Sequence, residues 1–422
     1  MTRIAAVVLA ASLIACSQSL PDEANSDDII GGVDGNATAL NAIGTLGVKD
    51  ESGKFQFFCS ASLIGPHTVL TAKHCAIVLS GTLAGMKYVN LIPIFFAVGP
   101  DAKNPVKVVE AIAADISKVD NGGFVGLGND VAVYQLIEDI KDVKPLKVAS
   151  TALVQADMGK KFVGVGFGAQ SVYEDLTGDL ASTRQMGTET SRALSGKAFE
   201  LMLGSFQAFY DQLVYEYGQD VVDENIDLVH QWYDQTTILP GYEAWYGHAA
   251  GDAQTCHGDS GGPVLHKATD AGNITDRKNS TAKIFGVVSG GWHSRDLTCD
   301  YGTFYAAIGP ATLDLVNKGL QYKDPCGGTK YSVNGGCEGD VAKRCTGKWE
   351  GDRRLSVVDC SAVGLVCKAN ASGRVGCADK SATPGNTPPP PVQPPSFSSI
   401  KQQVFEVSMG LHNKAVQKLQ GR

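Results

Sequence analysis

The sequence predicts a mainly β protein with a helical insertion, followed by a small disulfide-rich module. Three observations lead there. From about 29 to 322, short runs rich in β-branched and aromatic residues alternate with Gly, Pro, Asn and Asp clusters, the pattern of an all-β barrel or sandwich. Between 197 and 235 apolar residues recur at helical spacing instead. Residues 326–377 hold six cysteines.

With 422 residues, 43% of them hydrophobic, the chain can bury a sizeable core and form two ordinary domains. Its formal net charge of -8 gives no basic footprint, so no nucleic-acid partner is expected.

At the N-terminus, Arg3, the apolar run 4–14 and the small Ala15 before Cys16 read as an export signal over 1–16. Leu13-Ile14-Ala15-Cys16 resembles the bacterial lipobox, in which the cysteine is lipidated and becomes the new N-terminus. This makes the membrane a partner through lipidated Cys16 and the bacterial cell envelope the expected location; ordinary signal cleavage nearby is the alternative. The run is shorter than the ~20 residues that span a bilayer core. Of eleven cysteines, setting Cys16 aside leaves ten, an even number suited to disulfides in an oxidising compartment.

The runs 55–64, 68–72, 91–98, 106–112, 131–136, 161–167 and 283–289 read as strands, and 311–320 as a short closing helix. Within an insertion at about 190–245, Phe199, Met202, Phe206, Phe209, Leu213 and Tyr217, then Val222, Ile226 and Val229, predict two amphipathic helices. Such an aromatic stripe is ordinarily core, giving a packed helical hairpin; an exosite or lid is the alternative.

The apolar content of 326–377 is too small for a free-standing core, so three disulfides are expected to staple it, with a connectivity the spacing leaves open. Zinc is disfavoured there because no C-x2-C pair occurs. Residues 383–395 form a stiff proline-rich linker, and 396–422 an amphipathic, mostly solvated tail.

Attack of a hydroxyl on a peptide carbonyl needs a base for its proton and a carboxylate to orient that base. Leu70-Thr71-Ala72-Lys73-His74-Cys75 supplies a histidine, Asn129-Asp130-Val131-Ala132 an acid at the head of a strand, and Thr255-Cys256-His257-Gly258-Asp259-Ser260-Gly261-Gly262-Pro263 a serine among glycines. These segments resemble LTAAHC, NDIALL and GDSGGP, hallmarks of the trypsin and chymotrypsin family of serine proteases, over about 29–322.

The resemblance implies a two-barrel chymotrypsin-like protease domain acting on protein or peptide substrates. It implies His74 as general base, Asp130 as its orienter, Ser260 as nucleophile, and the backbone N–H groups of Gly258 and Ser260 as oxyanion hole. It also pairs Cys59 with Cys75 and Cys256 with Cys299. No cofactor or metal is required. Gly258-Asp259-Ser260-Gly261-Gly262 equally satisfies the G-x-S-x-G of α/β-hydrolases, but there the acid and histidine follow the serine, whereas here they precede it.

Ile29-Ile30-Gly31-Gly32 resembles the family's mature N-terminus, whose ammonium pairs with the aspartate before the nucleophile, here Asp259. The resemblance implies a zymogen with 17–28 as propeptide. Asp27 and Asp28 precede the cut where the family has Arg or Lys, so a separate activating protease is expected. No cysteine in 17–28 would retain the propeptide, so cleavage would release the enzyme from its anchor. By position, Gln254 forms the floor of the specificity pocket, with Ser289, Gly291 and Gly302 at its wall and entrance; Asp252 or Asp300 could bring in a carboxylate. The competing class is a catalytically silent binding or adhesion protein that uses the cysteine-rich module.

Overall fold

The structure, a computed structural model, describes residues 29, 33–50, 52–77, 93–119, 122–170, 180, 182–266, 282–292, 299, 301–323, 334–346, 354–370 and 373–380. The export signal with Cys16, Asp300, the proline-rich linker and the tail lie outside them.

Two six-stranded antiparallel barrels form the main body. Barrel one comprises β1 (Ile43–Lys49), β2 (Phe55–Gly65), β3 (Thr68–Thr71), β4 (Ile94–Val98), β5 (Lys107–Ile116) and β6 (Ala132–Leu136). Barrel two comprises β7 (Lys161–Gly166), β8 (Gln185–Ala193), β9 (Glu243–Tyr246), β10 (Pro263–His266), β11 (Lys283–Gly291) and β12 (Thr303–Ala307). Their strand orders correspond: β1-β2-β3-β6-β5-β4 closes through β1 and β4, and β7-β8-β9-β12-β11-β10 through β7 and β10. Closure leaves no free edge in either sheet.

Pleat and burial follow the residue pattern. In β8, buried Gln185, Gly187, Glu189 and Ser191 alternate with half-buried neighbours. One continuous core runs from Leu46, Phe96 and Val133 in barrel one to Val163, Ile284 and Ala306 in barrel two. The closing helix α6 (Pro310–Gln321) follows barrel two in sequence but packs on barrel one, where the Gly319 carbonyl accepts from Gln135 Nε2 at 2.8 Å. Pro310 at its first turn occupies a position with no intrahelical donor to lose.

The helical insertion lies between β8 and β9, but it holds four helices rather than two: α2 (Ala198–Leu203), α3 (Phe206–Tyr217), α4 (Gln219–Glu224) and α5 (Ile226–Gln235). Gly204 and Gly218, at φ 81° and 88°, punctuate it, because a glycine at positive φ ends a helix where periodicity alone would continue it. Ser205 caps α3, its hydroxyl accepting from Ala208 N–H. The expected stripe is core: Phe199, Phe209, Leu213, Val229 and Trp232 are buried together with Phe124, Trp245, Trp292 and Phe304 from the barrel region.

In the C-terminal module, β13 (Gly336–Glu338), β14 (Val341–Thr346) and β15 (Arg354–Asp359) form one sheet, and β16 (Val366–Ala369) pairs with β17 (Val375–Ala378). Cys337–Cys367 and Cys360–Cys377 are bridged, and Cys345 is also disulfide-bonded. These cysteines therefore offer no thiolate to zinc. Cys345 and Cys360 are fully buried whereas Val357 and Val358 are exposed, so the cystines stand in for the missing apolar core.

The segment leading into barrel one is clasped by Arg184, which is fully buried. Its Nε donates to the Gly35 carbonyl at 2.9 Å, Nη1 to Ile43 at 3.0 Å, and Nη2 to Ala37 at 3.3 Å and to Asn41 Oδ1 at 3.2 Å. Burial pulls the guanidinium down to about 10, so it stays charged at neutral pH. Arg184→Met strands these buried acceptors and is expected to cost about 3 kcal/mol of stability, read from the shift in urea or thermal unfolding.

Candidate active site

His74 lies in the short helix α1 (Lys73–Ile77), which begins just after β3 ends. Asp130 lies at the end of a glycine-rich loop, just before β6. Both side chains are fully buried. Asp130 Oδ1 accepts the His74 backbone N–H at 2.8 Å, and Oδ2 lies 2.7 Å from His74 Nδ1. This fixes Nδ1 as the protonated nitrogen and leaves Nε2 as the acceptor. Nε2 is buried and has no hydrogen-bond partner among the described residues.

Ser289 completes the pair. Its hydroxyl donates to Asp130 Oδ2 at 2.7 Å, and the residue is fully buried. It lies near the C-terminal end of β11 in barrel two, so its bond to Asp130 crosses to the loop just before β6 of barrel one. Burial pushes the Asp130 carboxyl up, but the His74 charge and the hydrogen bonds from His74 and Ser289 outweigh it and hold it below the ordinary carboxylate range.

Ser260 reaches this pair through its backbone. Its carbonyl accepts from Ser60 N–H at 2.8 Å and lies 3.7 Å from Cys75 Sγ. Cys59 and Cys75, on either side of that contact, form one disulfide, and their sulfurs and a His74 ring nitrogen all lie within 4.8 Å of one another. The sulfurs are spent on their covalent bond, so this trio is not a metal site. The Ser260 hydroxyl makes no hydrogen bond to His74 Nε2 here, a contact that commonly tightens only around substrate.

Close packing explains the glycines around Ser260. A Cβ on Gly261, at φ 78°, would collide with Thr71 and the Ser60 carbonyl, and one on Gly258, at φ 97°, would lie 2.9 Å from Gly168 Cα. Between them Asp259 is fully buried, Oδ1 accepting from Gly168 N–H at 2.8 Å and Oδ2 from Cys256 N–H at 2.9 Å. Ile29 is also buried and adopts φ 51°, a left-handed conformation costly for a β-branched residue. Nearby Glu189, bonded by Tyr305 Oη at 2.9 Å, is pushed well above the ordinary range by burial, with the charge of Asp259 adding to the rise.

The structure gathers Gln254, Gly291 and Gly302. A Cβ on Gly291 would lie 3.0 Å from the Gly302 carbonyl, and one on Gly247 would lie 3.1 Å from Gln254 Oε1 and 3.4 Å from Gly302 Cα. Gln254 is buried, and its Oε1 has no partner among the described residues. The Cys256–Cys299 bridge closes beside it. Asp252 Oδ1 accepts from Lys161 Nζ at 2.6 Å and Thr190 Oγ1 at 2.8 Å, and its buried Oδ2, 3.7 Å from Arg192 Nη2, makes no hydrogen bond among the described residues.

Sequence reasoning missed three supports. Lys73, buried, donates from Nζ to the carbonyls of Val119 and Leu127, both at 2.9 Å. Asn129 donates to Thr312 Oγ1 on α6 at 2.8 Å. Glu243, at the start of β9, accepts with both carboxyl oxygens from the Phe124 N–H of the Asp130 loop, at 2.9 and 3.1 Å. An ionisable residue among apolar neighbours, such as Lys73 in Thr71-Ala72-Lys73-His74, was the only available signal.

Because the Asp130 pKa is depressed on folding, its contribution to stability is present above the unfolded value near 3.8 and is lost as pH falls through the folded value. Ser289→Ala removes one donor and raises the folded pKa. Acid unfolding is therefore expected to begin at higher pH than in the parent, measured by denaturant titration between about pH 2 and pH 6.

Residues 29–197 match the family model described as Trypsin. A curated relative, trypsin theta of Drosophila erecta, is 24% identical over 237 residues, covering 54% of this chain and 70% of the relative. A solved structure titled "Structure of GrC" matches with a TM-score of 0.42 at 16% identity, covering 69% of this chain and 99% of that one. The two six-stranded barrels give this chain the chymotrypsin fold, and its residues 29–197 are similar to the trypsin family.

Proposed function

We propose that the protein is a serine endopeptidase that cleaves peptide bonds through an acyl-enzyme. The observation that carries this reading is the buried His74 imidazole, with Nδ1 committed to a buried carboxylate and Nε2 left without a hydrogen-bond partner among the described residues, in a helix whose Cys75 Sγ lies 3.7 Å from the Ser260 carbonyl. A buried, unpaired nitrogen costs free energy and is retained where function uses it. In the mechanism, Ser260 Oγ attacks the scissile carbonyl as Nε2 takes its proton, and Asp130 stabilises the imidazolium. The N–H groups of Gly258 and Ser260 receive the developing oxyanion. His74 then protonates the departing amine, and a water attacks the acyl-enzyme by the same route in reverse.

The protein is made as a zymogen in this reading. Cleavage of the Asp28–Ile29 bond frees an ammonium for buried Asp259 and releases Ile29 from its left-handed conformation. An activating protease that accepts Asp27-Asp28 is the partner required. Lipidated Cys16 holds the precursor at a bacterial envelope, and the cut frees the catalytic domain. The uncharged Gln254 in the pocket offers no carboxylate to Arg or Lys, which favours neutral side chains that can hydrogen-bond its free Oε1.

Protein beginning at Ile29 is expected to be labelled by a fluorophosphonate probe and to cleave a peptide library. Ser260→Ala should abolish both, and the precursor that retains 17–28 should be labelled at least ~100-fold more slowly, as expected when an oxyanion donor is misplaced. Absence of labelling in the Ile29-started protein would overturn the assignment.

A further inference from the structure

The loop that delivers Asp130 is held by buried ionisable groups that the mechanism above does not use. Gly122, Gly123, Gly126 and Gly128 adopt φ of 90°, 79°, 67° and 70°, so this stretch has little conformational preference of its own. Lys73 grips both of its ends through the Val119 and Leu127 carbonyls. Glu243 holds its middle: Oε1 and Oε2 accept from Phe124 N–H at 2.9 and 3.1 Å, and Oε2 also accepts from Leu239 N–H at 2.9 Å. A Cβ on Gly123 would run into this carboxylate, so the loop is shaped around it.

Leu239 immediately follows the two-residue strand Thr237–Ile238 that ends the helical insertion. Apolar packing runs in parallel with the polar link, since Phe124 stacks on Phe304 at 4.1 Å and meets Phe199 of α2 edge-on at 6.1 Å. Burial pushes Glu243 up to about 8, and the charge of Asp130 adds to the rise, so the two carboxyl groups lie within electrostatic reach of each other.

We propose that Glu243 is a positioning residue for Asp130: by joining Phe124 N–H to Leu239 N–H it sets how the carboxylate meets His74 and ties that geometry to the helical insertion. The proposal rests on the peptidase reading for its kinetic consequence, but not for its structural one. Small displacements of an orienting group are costly because proton transfer depends on alignment.

The test uses Ile29-started protein with Glu243→Leu, which supplies no acceptor, and Glu243→Gln, which keeps one accepting oxygen in nearly the same shape. We expect kcat to fall about 30-fold for Leu and about 5-fold for Gln with KM within about twofold, normalised to fluorophosphonate-titrated sites. The downfield proton resonance of the His74–Asp130 hydrogen bond should shift or broaden in the same order. Folded variants with parental kcat and an unmoved resonance would overturn the proposal, as would losses that merely follow the folded fraction. Should Leu fail to fold, Gln decides. If the parent itself is not labelled, the peptidase reading fails, and the resonance alone decides whether Glu243 positions Asp130.

Discussion

Burial of the Asp130 carboxylate is the constraint on which the rest of the site depends. A charge in a dry seam is tolerated only when its oxygens are fully engaged, and here the His74 N–H, His74 Nδ1 and the Ser289 hydroxyl engage them. Those donors come from α1 beside barrel one and from β11 of barrel two. Both barrels must therefore dock in one arrangement for the carboxylate to be satisfied, and that docking orients the imidazole.

Around this point the structure spends its covalent and steric resources on restraint. The Cys59–Cys75 bridge fixes α1 against β2, and the Ser260 carbonyl sits on the same bridge through Ser60. Asn129 is tied to α6, so the helix that packs on barrel one from the far end of the domain also steadies the residue before Asp130. Glycines at 258 and 261 let the serine turn lie against β2 and the Gly168 backbone. Barrel two carries its own buried acids, Asp259 and Glu189, in space left by Gly164, Gly166 and Gly168. Arg184 then holds the segment that joins Ile29 to barrel one.

The helical insertion is a packed buttress and not a detached lid. Its aromatic stripe meets Trp292 just beyond β11, Phe304 in β12 and Phe124 in the Asp130 loop. Its backbone end is bonded to the same loop through Glu243. Insertion and site thus share one core, which gives the helices a physical route to the position of Asp130.

Much of this was legible in the sequence because it is local. Period-two runs specify strands, 3.6-residue spacing specifies helices, and the segments around His74, Asp130 and Ser260 carry a histidine, an acid and a serine in the order of the family they resemble. The insertion's division into four helices was less visible, because the positive-φ glycines 204 and 218 interrupt the backbone without interrupting the apolar stripe. What only the tertiary structure decided is where distant polar atoms meet. The Ser289 hydroxyl meets Asp130, Asp252 Oδ1 meets Lys161, and Lys73 and Glu243 are committed to a loop remote from both in sequence. Burying a polar group obliges it to find a partner wherever the fold brings one, and that partner's identity is a property of three-dimensional proximity that no local pattern encodes.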